Sequence, residues 1–218
     1  MDTTRLAALA LALTSWAGLP ITTVAQSPKA ATYITDEEVK TVNATPGVDR
    51  TIKVVDIGNE NFAVGIIHRG PTGGARGAGG AGAAGRGAQA PAEPCGETAG
   101  TPPPAGTPTG LYHESQTEGY YIVSGAGTMV TGGHIVNGRK SAAAAEVTTT
   151  LNGPSCSGSI MGADVVTRDV KVGDIIVIPA GVPHGWSTIP DHVDYLSFRP
   201  SQRVLTAGYV HPSISGQK

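Results

Sequence analysis

The sequence predicts a single all-β domain whose antiparallel strands form a barrel or a sandwich. Two runs rich in β-branched residues, 51–57 and 62–68, lie on either side of a turn and are typical of a hairpin. After Tyr120, short apolar runs alternate with glycine-rich turns, and Asn-Gly at 137–138 indicates a tight turn. The run 147–151 is expected as a further strand. Short strands at such regular spacing are typical of closed or two-layered antiparallel sheets.

The 218-residue chain divides into a leader, an arm, the barrel and a tail. Residues 1–25 combine a basic start, a short apolar run and small residues before a cleavage site, which predicts a secretory signal peptide and a periplasmic or secreted protein. An uncleaved anchor or a mis-assigned start is the alternative. Residues 26–50 are expected to form an N-terminal arm with one helical turn at 36–39. The barrel is expected over 51–200, followed by a loose tail over 201–218.

Residues 70–110 interrupt the barrel with a low-complexity segment of mostly Gly, Ala and Pro. A segment with so few large apolar side chains cannot bury enough surface to offset its ordering entropy, so it is expected to be a disordered loop. It serves either as a lid over a site or has no role beyond linking two strands.

The two cysteines, Cys95 and Cys156, lie in polar stretches outside the predicted strands. In an oxidising compartment an even number of cysteines favours a disulfide, and two free thiols are the alternative. A bridge that closes so long a loop would stabilise the protein by about 4 kcal/mol on chain entropy alone.

The segment 173–186 organises the chemistry of the chain. A Gly-Asp turn precedes the apolar run 175–178, which is predicted to be a buried strand because it is too short for a helix. Pro179 ends that strand, since proline cannot continue a central ladder. The rigid turn that follows, with Gly181 and Pro183, presents the imidazole of His184.

A second segment, 111–127, supplies His113 and Glu118, then an apolar strand, then Gly125. Together the two segments resemble the two motifs of the cupin superfamily, although Leu111 stands where that family's first motif has its first histidine. The resemblance implies an antiparallel double-stranded β-helix, also called a jelly roll. It also implies that His113, Glu118 and His184 bind a divalent metal, with His68 or Glu114 as possible extra ligands.

Two imidazoles and one carboxylate suit Fe, Mn, Zn, Ni or Cu and do not distinguish among them. Leu111 leaves three possibilities open: three ligands suffice, a fourth comes from elsewhere, or the site has lost its metal. Tyr120 and Trp186 each lie two residues after a predicted ligand, so they are expected on the same face of their strands as that ligand. Arg199 could pair a substrate carboxylate, but the sequence favours a surface position for it.

The net charge of −2 and the absence of a basic run argue against a nucleic-acid partner. After signal cleavage no membrane contact is expected, and the resemblance implies a homodimer. The resemblance also allows a metal-dependent enzyme acting on a small organic molecule, with a dioxygenase favoured over an isomerase, epimerase or lyase. A non-catalytic small-molecule-binding protein, with or without metal, and a structural exported protein are the alternatives.

Overall fold

The computed structural model describes residues 30–72 and 92–216. The predicted signal peptide, 1–25, and residues 73–91 of the predicted insertion lie outside the described residues. Among the described residues, no helix combines the length and the apolar character that a membrane span needs.

Eleven strands, one α-helix, one π-helix and one 3₁₀-helix make up the described fold. The helices are α1 (Asp36–Asn43), the π-helix (Thr148–Asn152) and the 3₁₀-helix (Pro212–Ile214). The strands are β1 (Asp49–Asp56), β2 (Asn61–Arg69), β3 (Pro94–Cys95), β4 (Thr109–His113), β5 (Glu118–Thr131), β6 (His134–Lys140), β7 (Ser155–Met161), β8 (Val166–Lys171), β9 (Ile175–Ile178), β10 (His184–Thr188) and β11 (Val193–Ser201).

The strands form two antiparallel sheets that share β5. The first sheet has the order β1-β2-β11-β5-β9, and the second has the order β8-β5-β10-β4-β7-β6-β3. Side chains from both sheets, among them Ile67, Ile122, Met129 and Val170, pack into one buried core. This two-layered antiparallel barrel confirms the predicted all-β fold.

Strand β5 passes from one sheet to the other at Gly125. Residues up to Gly125 pair with β11, whereas residues from Ala126 onward pair with β8. Gly125 has a φ of +70°, and a Cβ there would collide with the carbonyl oxygen of His192. Only glycine meets both conditions, and the bend keeps Glu118 and Tyr120 on the inner face of the first sheet.

Helix α1 covers the outer face of the first sheet. Its N-terminus is closed by a capping box, in which the Thr35 hydroxyl accepts from the Glu38 amide while the Glu38 carboxylate accepts from the Thr35 amide. Val42 packs against Ile52 and neighbouring side chains of the sheet. The sequence predicted one helical turn here, and the cap together with this packing extends it to eight residues.

The C-terminal segment packs on β1, so the predicted loose tail is wrong for the described residues up to 216. The His211 amide donates to the carbonyl of Ile52, and the Val54 amide donates to the carbonyl of Tyr209. Ile214 is buried against the α1 side of the sheet. Backbone pairing and one apolar anchor hold this segment, and neither is visible in its polar composition.

Strand β9 has the predicted bounds, but it is not buried on both faces. Ile175 and Val177 are 72% and 69% exposed, whereas Ile178 is 2% exposed. Among the described strands, β9 pairs only with β5 and therefore lies at a sheet edge. Alternate side chains of such a strand face solvent, so the prediction of a buried strand is wrong for one of its faces.

Residues 92–110 are ordered, which corrects the prediction of disorder for that part of the insertion. Strand β3 pairs with β6, and Cys95 forms a disulfide with Cys156. Cys156 is 0% exposed and packs against Val130, Ile135 and Ile160. Both cysteines thus lie in strands, not in the polar loops that the sequence indicated.

Candidate metal centre

Three strand ends bring His113, Glu118 and His184 together. His113 is the last residue of β4, Glu118 is the first of β5, and His184 is the first of β10. Strand β10 pairs with β4, placing His184 opposite Leu111. One potential ligand atom from each of the three side chains lies within 4.8 Å of the others.

The carboxylate of Glu118 lies between the two imidazoles. Its Oε1 is 2.9 Å from Nε2 of His113, and its Oε2 is 3.0 Å from Nε2 of His184. His113, Glu118 and His184 are 3%, 0% and 5% exposed, respectively. Water therefore competes little for these atoms.

Ser155 fixes the tautomer of His113. Nδ1 of His113 lies 2.7 Å from the Ser155 hydroxyl, whose own proton goes to the carbonyl of Gly153 or Asn152 at 3.0 or 3.3 Å. The hydroxyl must therefore accept from Nδ1–H of the imidazole. Burial, with smaller contributions from Arg199 and His184, lowers the pKa of His113 against the opposing effect of Glu118, which favours the neutral ring with a lone pair on Nε2.

His184 has the same arrangement with a backbone partner. Its Nδ1 lies 3.0 Å from the carbonyl oxygen of Val182, which can only accept a hydrogen bond. The ring therefore carries a proton on Nδ1. Both histidines consequently direct Nε2 toward the carboxylate of Glu118, which is how outer-sphere partners orient metal-binding imidazoles.

Arg199 and Tyr120 hold the carboxylate itself. The guanidinium Nη2 of Arg199 contacts Oε1, and the hydroxyl of Tyr120 donates to Oε2 at 2.6 Å. Burial acts to raise the pKa of Glu118, but the Arg199 guanidinium and the two imidazoles together outweigh it and keep this pKa well below its usual range. Oε2 thus accepts from Tyr120, Oε1 lies against the guanidinium, and each oxygen also faces an imidazole.

The three ligands fit a divalent cation. Ligand atoms about 2.1 Å from a cation and about 90° apart are separated by about 3 Å, as the two imidazole nitrogens are from the carboxylate oxygens. A cation among these atoms would accept one lone pair from each ligand. The nitrogen and oxygen donors suit Fe, Mn, Zn, Ni or Cu, and no thiolate is present to narrow the choice.

The possible extra ligands predicted from the sequence do not join the cluster. His68 is exposed, and its Nδ1 lies 2.6 Å from Asp194. Glu114 is exposed in the turn between β4 and β5. Leu111 is 6% exposed and has no ligand atom, so the described residues supply three ligands.

The three predicted pocket residues have different surroundings. Tyr120 donates a hydrogen bond to the carboxylate and packs against Tyr195, with ring centroids 4.4 Å apart and the rings tilted. Trp186 is partly buried and packs against Tyr195 at 5.7 Å. Arg199 is 2% exposed, which corrects the expected surface position, because its pairing with Glu118 offsets the desolvation of both charges.

Sequence reasoning missed Asn152 and Ser155, which support the site from outside the two motifs. The predicted strand 147–151 is wrong, since Thr148–Asn152 is a π-helix. Its last residue, Asn152, accepts from Arg199 through Oδ1, and Ser155 follows as the first residue of β7. A π-helix is rare and has no sequence signal here, although such turns often occur at functional sites.

Ser155 also borders a surface cavity. The cavity has a volume of about 680 Å³, and its lining includes Lys140, Thr148, Pro154 and Ser155. Because Ser155 bonds His113, this cavity is separated from the cluster by a single side chain.

Gly110 controls how closely β4 approaches His184. A Cβ at this position would collide with the His184 carbonyl oxygen and with the side chain of Ile160. We expect Gly110→Ala to lower the free energy of unfolding by about 1–3 kcal/mol, as overpacking does, and to displace His184. Thermal unfolding and metal affinity measure the two effects, and Gly100→Ala, at a position with open space, is the matched control. Equal stability of both variants would contradict the close approach.

No family model matches the chain, and no curated protein sequence matches it. Solved structures do resemble it. An uncharacterized conserved protein with a double-stranded β-helix domain from Klebsiella pneumoniae is 14% identical, with 81% of this chain and 94% of that one covered and a TM-score of 0.35. A Bacillus halodurans protein is 13% identical, with 85% and 92% covered and a TM-score of 0.38.

An oxalate oxidase solved in complex with glycolate is 15% identical, with 73% of this chain and 54% of that one covered and a TM-score of 0.32. These TM-scores are below 0.5, so the fold is taken from the strand pairing of the chain itself. That pairing, two antiparallel sheets joined through β5 around one core, is a double-stranded β-helix.

Proposed function

We propose that this chain, which has the cupin-type fold, is a metal-dependent enzyme that acts on a small organic molecule. The observation that carries the proposal is the arrangement of three lone-pair donors. The Nδ1 contacts of His113 and His184 direct both Nε2 atoms toward the carboxylate of Glu118, at 2.9 and 3.0 Å. Two imidazole nitrogens and a carboxylate directed at one point are the donor set of a divalent metal, which binds them in their deprotonated forms.

When bound, the cation supplies a Lewis acid with open positions for substrate, water or O₂, because three protein ligands do not fill its coordination sphere. The chain's residues orient the site. Ser155 and the Val182 carbonyl hold the imidazoles, while Arg199 and Tyr120 hold the carboxylate. We favour dioxygenase chemistry because two histidines and a carboxylate suit non-haem Fe(II), and isomerase or lyase chemistry is the alternative.

The substrate is proposed to approach from the cavity beside Ser155 or past Tyr120 and Trp186. Entry from the cavity is supported because only the Ser155 side chain lies between that cavity and His113. The aromatic side supports binding because Tyr120, Trp186 and Tyr195 form a continuous group of rings. Both routes suit a small organic molecule better than a polymer.

A non-catalytic binding protein is the second candidate. The ligands are at most 5% exposed, and Leu111 adds an apolar surface beside His184. A closed site of this kind favours retention of a ligand over rapid exchange.

We also propose that the protein is exported. Residues 1–25 have the features of a signal peptide, and the disulfide between Cys95 and Cys156 suits an oxidising compartment. Detection of the mature protein in a periplasmic or culture fraction, beginning near Gln26, tests this directly.

Metal analysis of protein purified without chelators tests whether His113, Glu118 and His184 bind a metal. We expect about one equivalent of a divalent metal in the wild type. In His184→Ala or Glu118→Gln the affinity should fall by more than the roughly 10–100-fold that loss of an outer-sphere partner costs. His134→Ala, a half-exposed histidine paired with Glu97, is the matched control and should keep its metal. Equal metal content in all four proteins would exclude the site.

Oxygen consumption separates the two candidate functions once metal is bound. With phenolic and keto-acid compounds, a dioxygenase should consume O₂ in step with loss of substrate. A binding protein should retain one of these compounds without consuming O₂ or changing it. Product analysis without O₂ identifies an isomerase or lyase.

A further inference from the structure

The charges around the site are balanced until a cation is added. Glu118 and Arg199 carry opposite charges and contact each other, and both are at most 2% exposed. A second ion pair, Asp49 with Arg69 at 3.5 Å, is connected to the site through Asn152 and is also balanced. Because an imidazole that ligates a metal is neutral, a bound divalent cation would leave two uncompensated positive charges among these buried side chains. Uncompensated buried charge is costly, so the loaded site requires an anion.

Two buried donors in this region lack partners. Arg199 uses Nη2 for Glu118 and Nη1 for Asn152, but no described residue accepts a hydrogen bond from its Nε. Ser197, two residues earlier on the same face of β11, is 0% exposed, and its hydroxyl also has no partner among the described residues. Buried polar atoms are nearly always hydrogen-bonded, so these two donors indicate an acceptor that binds there.

We propose that the metal centre binds its cation together with a small carboxylate anion, which Arg199 and Ser197 hold, so that cation and anion bind cooperatively. This inference rests on the proposed metal site and names the class of molecule that completes it. A carboxylate suits both donors, because it accepts charge-assisted bonds from a guanidinium and a further bond from a hydroxyl. Arg199 thereby weakens binding of the cation alone and strengthens binding of the pair.

Calorimetric titration with Co²⁺ tests the cooperativity on the wild-type protein. Saturating acetate should increase the Co²⁺ affinity by about 10-fold, which lies within the usual range of coupling between two sites. Acetamide, a neutral molecule of the same shape, should have no effect, and chloride at matched ionic strength controls for salt. By linkage, Co²⁺ must increase the acetate affinity by the same factor.

Two variants assign the coupling to its residues. In Arg199→Met, Co²⁺ alone should bind about 10-fold more tightly, because a neighbouring positive charge is gone, and acetate should no longer affect it. In Ser197→Ala, acetate should bind several-fold more weakly to the Co²⁺-loaded protein while Co²⁺ alone binds as in the wild type. The Co²⁺ absorption spectrum reports the same acetate binding independently, and Ser197→Ala remains informative if Arg199→Met does not fold.

The outcomes distinguish this inference from the proposed function. If the wild type binds no Co²⁺ at any acetate concentration, the metal site itself is excluded. If Co²⁺ binds equally well with acetate, acetamide or chloride, the metal site stands and the carboxylate coupling is overturned. Retention of the full coupling in Arg199→Met would overturn the role of Arg199.

Discussion

Replacing Cys95 and Cys156 together by alanine should lower the free energy of unfolding by about 4 kcal/mol. The bridge joins residues 61 positions apart, so its loss restores a large amount of chain entropy to the unfolded state. It also releases β3 and the described residues 92–108 from the second sheet, where few other side chains anchor them. Urea denaturation of the variant and the wild type measures the difference.

Reduction of the wild-type protein separates the bridge from the side-chain change. Since Cys156 is 0% exposed among Val130, Ile135 and Ile160, truncation to alanine also loses some apolar packing. Reduced wild type should therefore be slightly more stable than the double variant, and both should be well below the oxidised protein. A loss under about 1 kcal/mol on reduction would mean that the described contacts, not the bridge, hold this segment.

Arg199→Met should destabilise the metal-free protein by about 3–5 kcal/mol. The substitution leaves the Glu118 carboxylate buried without its guanidinium partner, and an uncompensated buried charge is strongly destabilising. Glu118→Leu should have a similar cost, because it leaves the Arg199 guanidinium buried with Asn152 as its main partner. Denaturation in the presence of a chelator keeps metal binding out of the comparison.

The double variant Glu118→Leu/Arg199→Met provides the decisive comparison. Because it removes both charges, it should be less destabilised than the sum of the two single variants, with a coupling of a few kcal/mol. The exposed pair Lys40 and Asp36, treated in the same way, should give a coupling near zero and serves as the control. Additive effects at Glu118 and Arg199 would mean that the two charges do not depend on each other.

Much of the site was predictable because its ligands lie in two local segments that resemble the cupin motifs. The resemblance identified His184 after the Pro179-x-Gly181 turn, and Glu118 and His113 before Gly125. Turns and strand ends depend on a few neighbouring residues, so such motifs can be recognised in a single chain. The β1–β2 hairpin was predictable for the same reason, with bounds within about two residues.

The supporting residues were not predictable in this way. Arg199 lies 81 positions after Glu118 in the sequence, and its burial depends on its pairing with the Glu118 carboxylate. Asn152 ends a π-helix and Ser155 begins the next strand, whereas the β-branched run 147–151 is typical of a strand and led to a wrong prediction. Their roles arise from contacts between distant segments, for which a single sequence carries no signal.

The sequence by itself determined the β-strand content and the positions of the main turns, because alternation, Gly and Pro act over a few residues, and its two cupin-like segments indicated the three candidate ligands. The tertiary structure decided which strand faces are buried, since an edge position exposes Ile175 and Val177 despite their apolar character. It also decided the charge of the site, because Arg199 joins Glu118 only when β11 pairs with β5. Solvent exclusion and charge pairing are properties of the assembled sheets, and they arise only after distant segments have met.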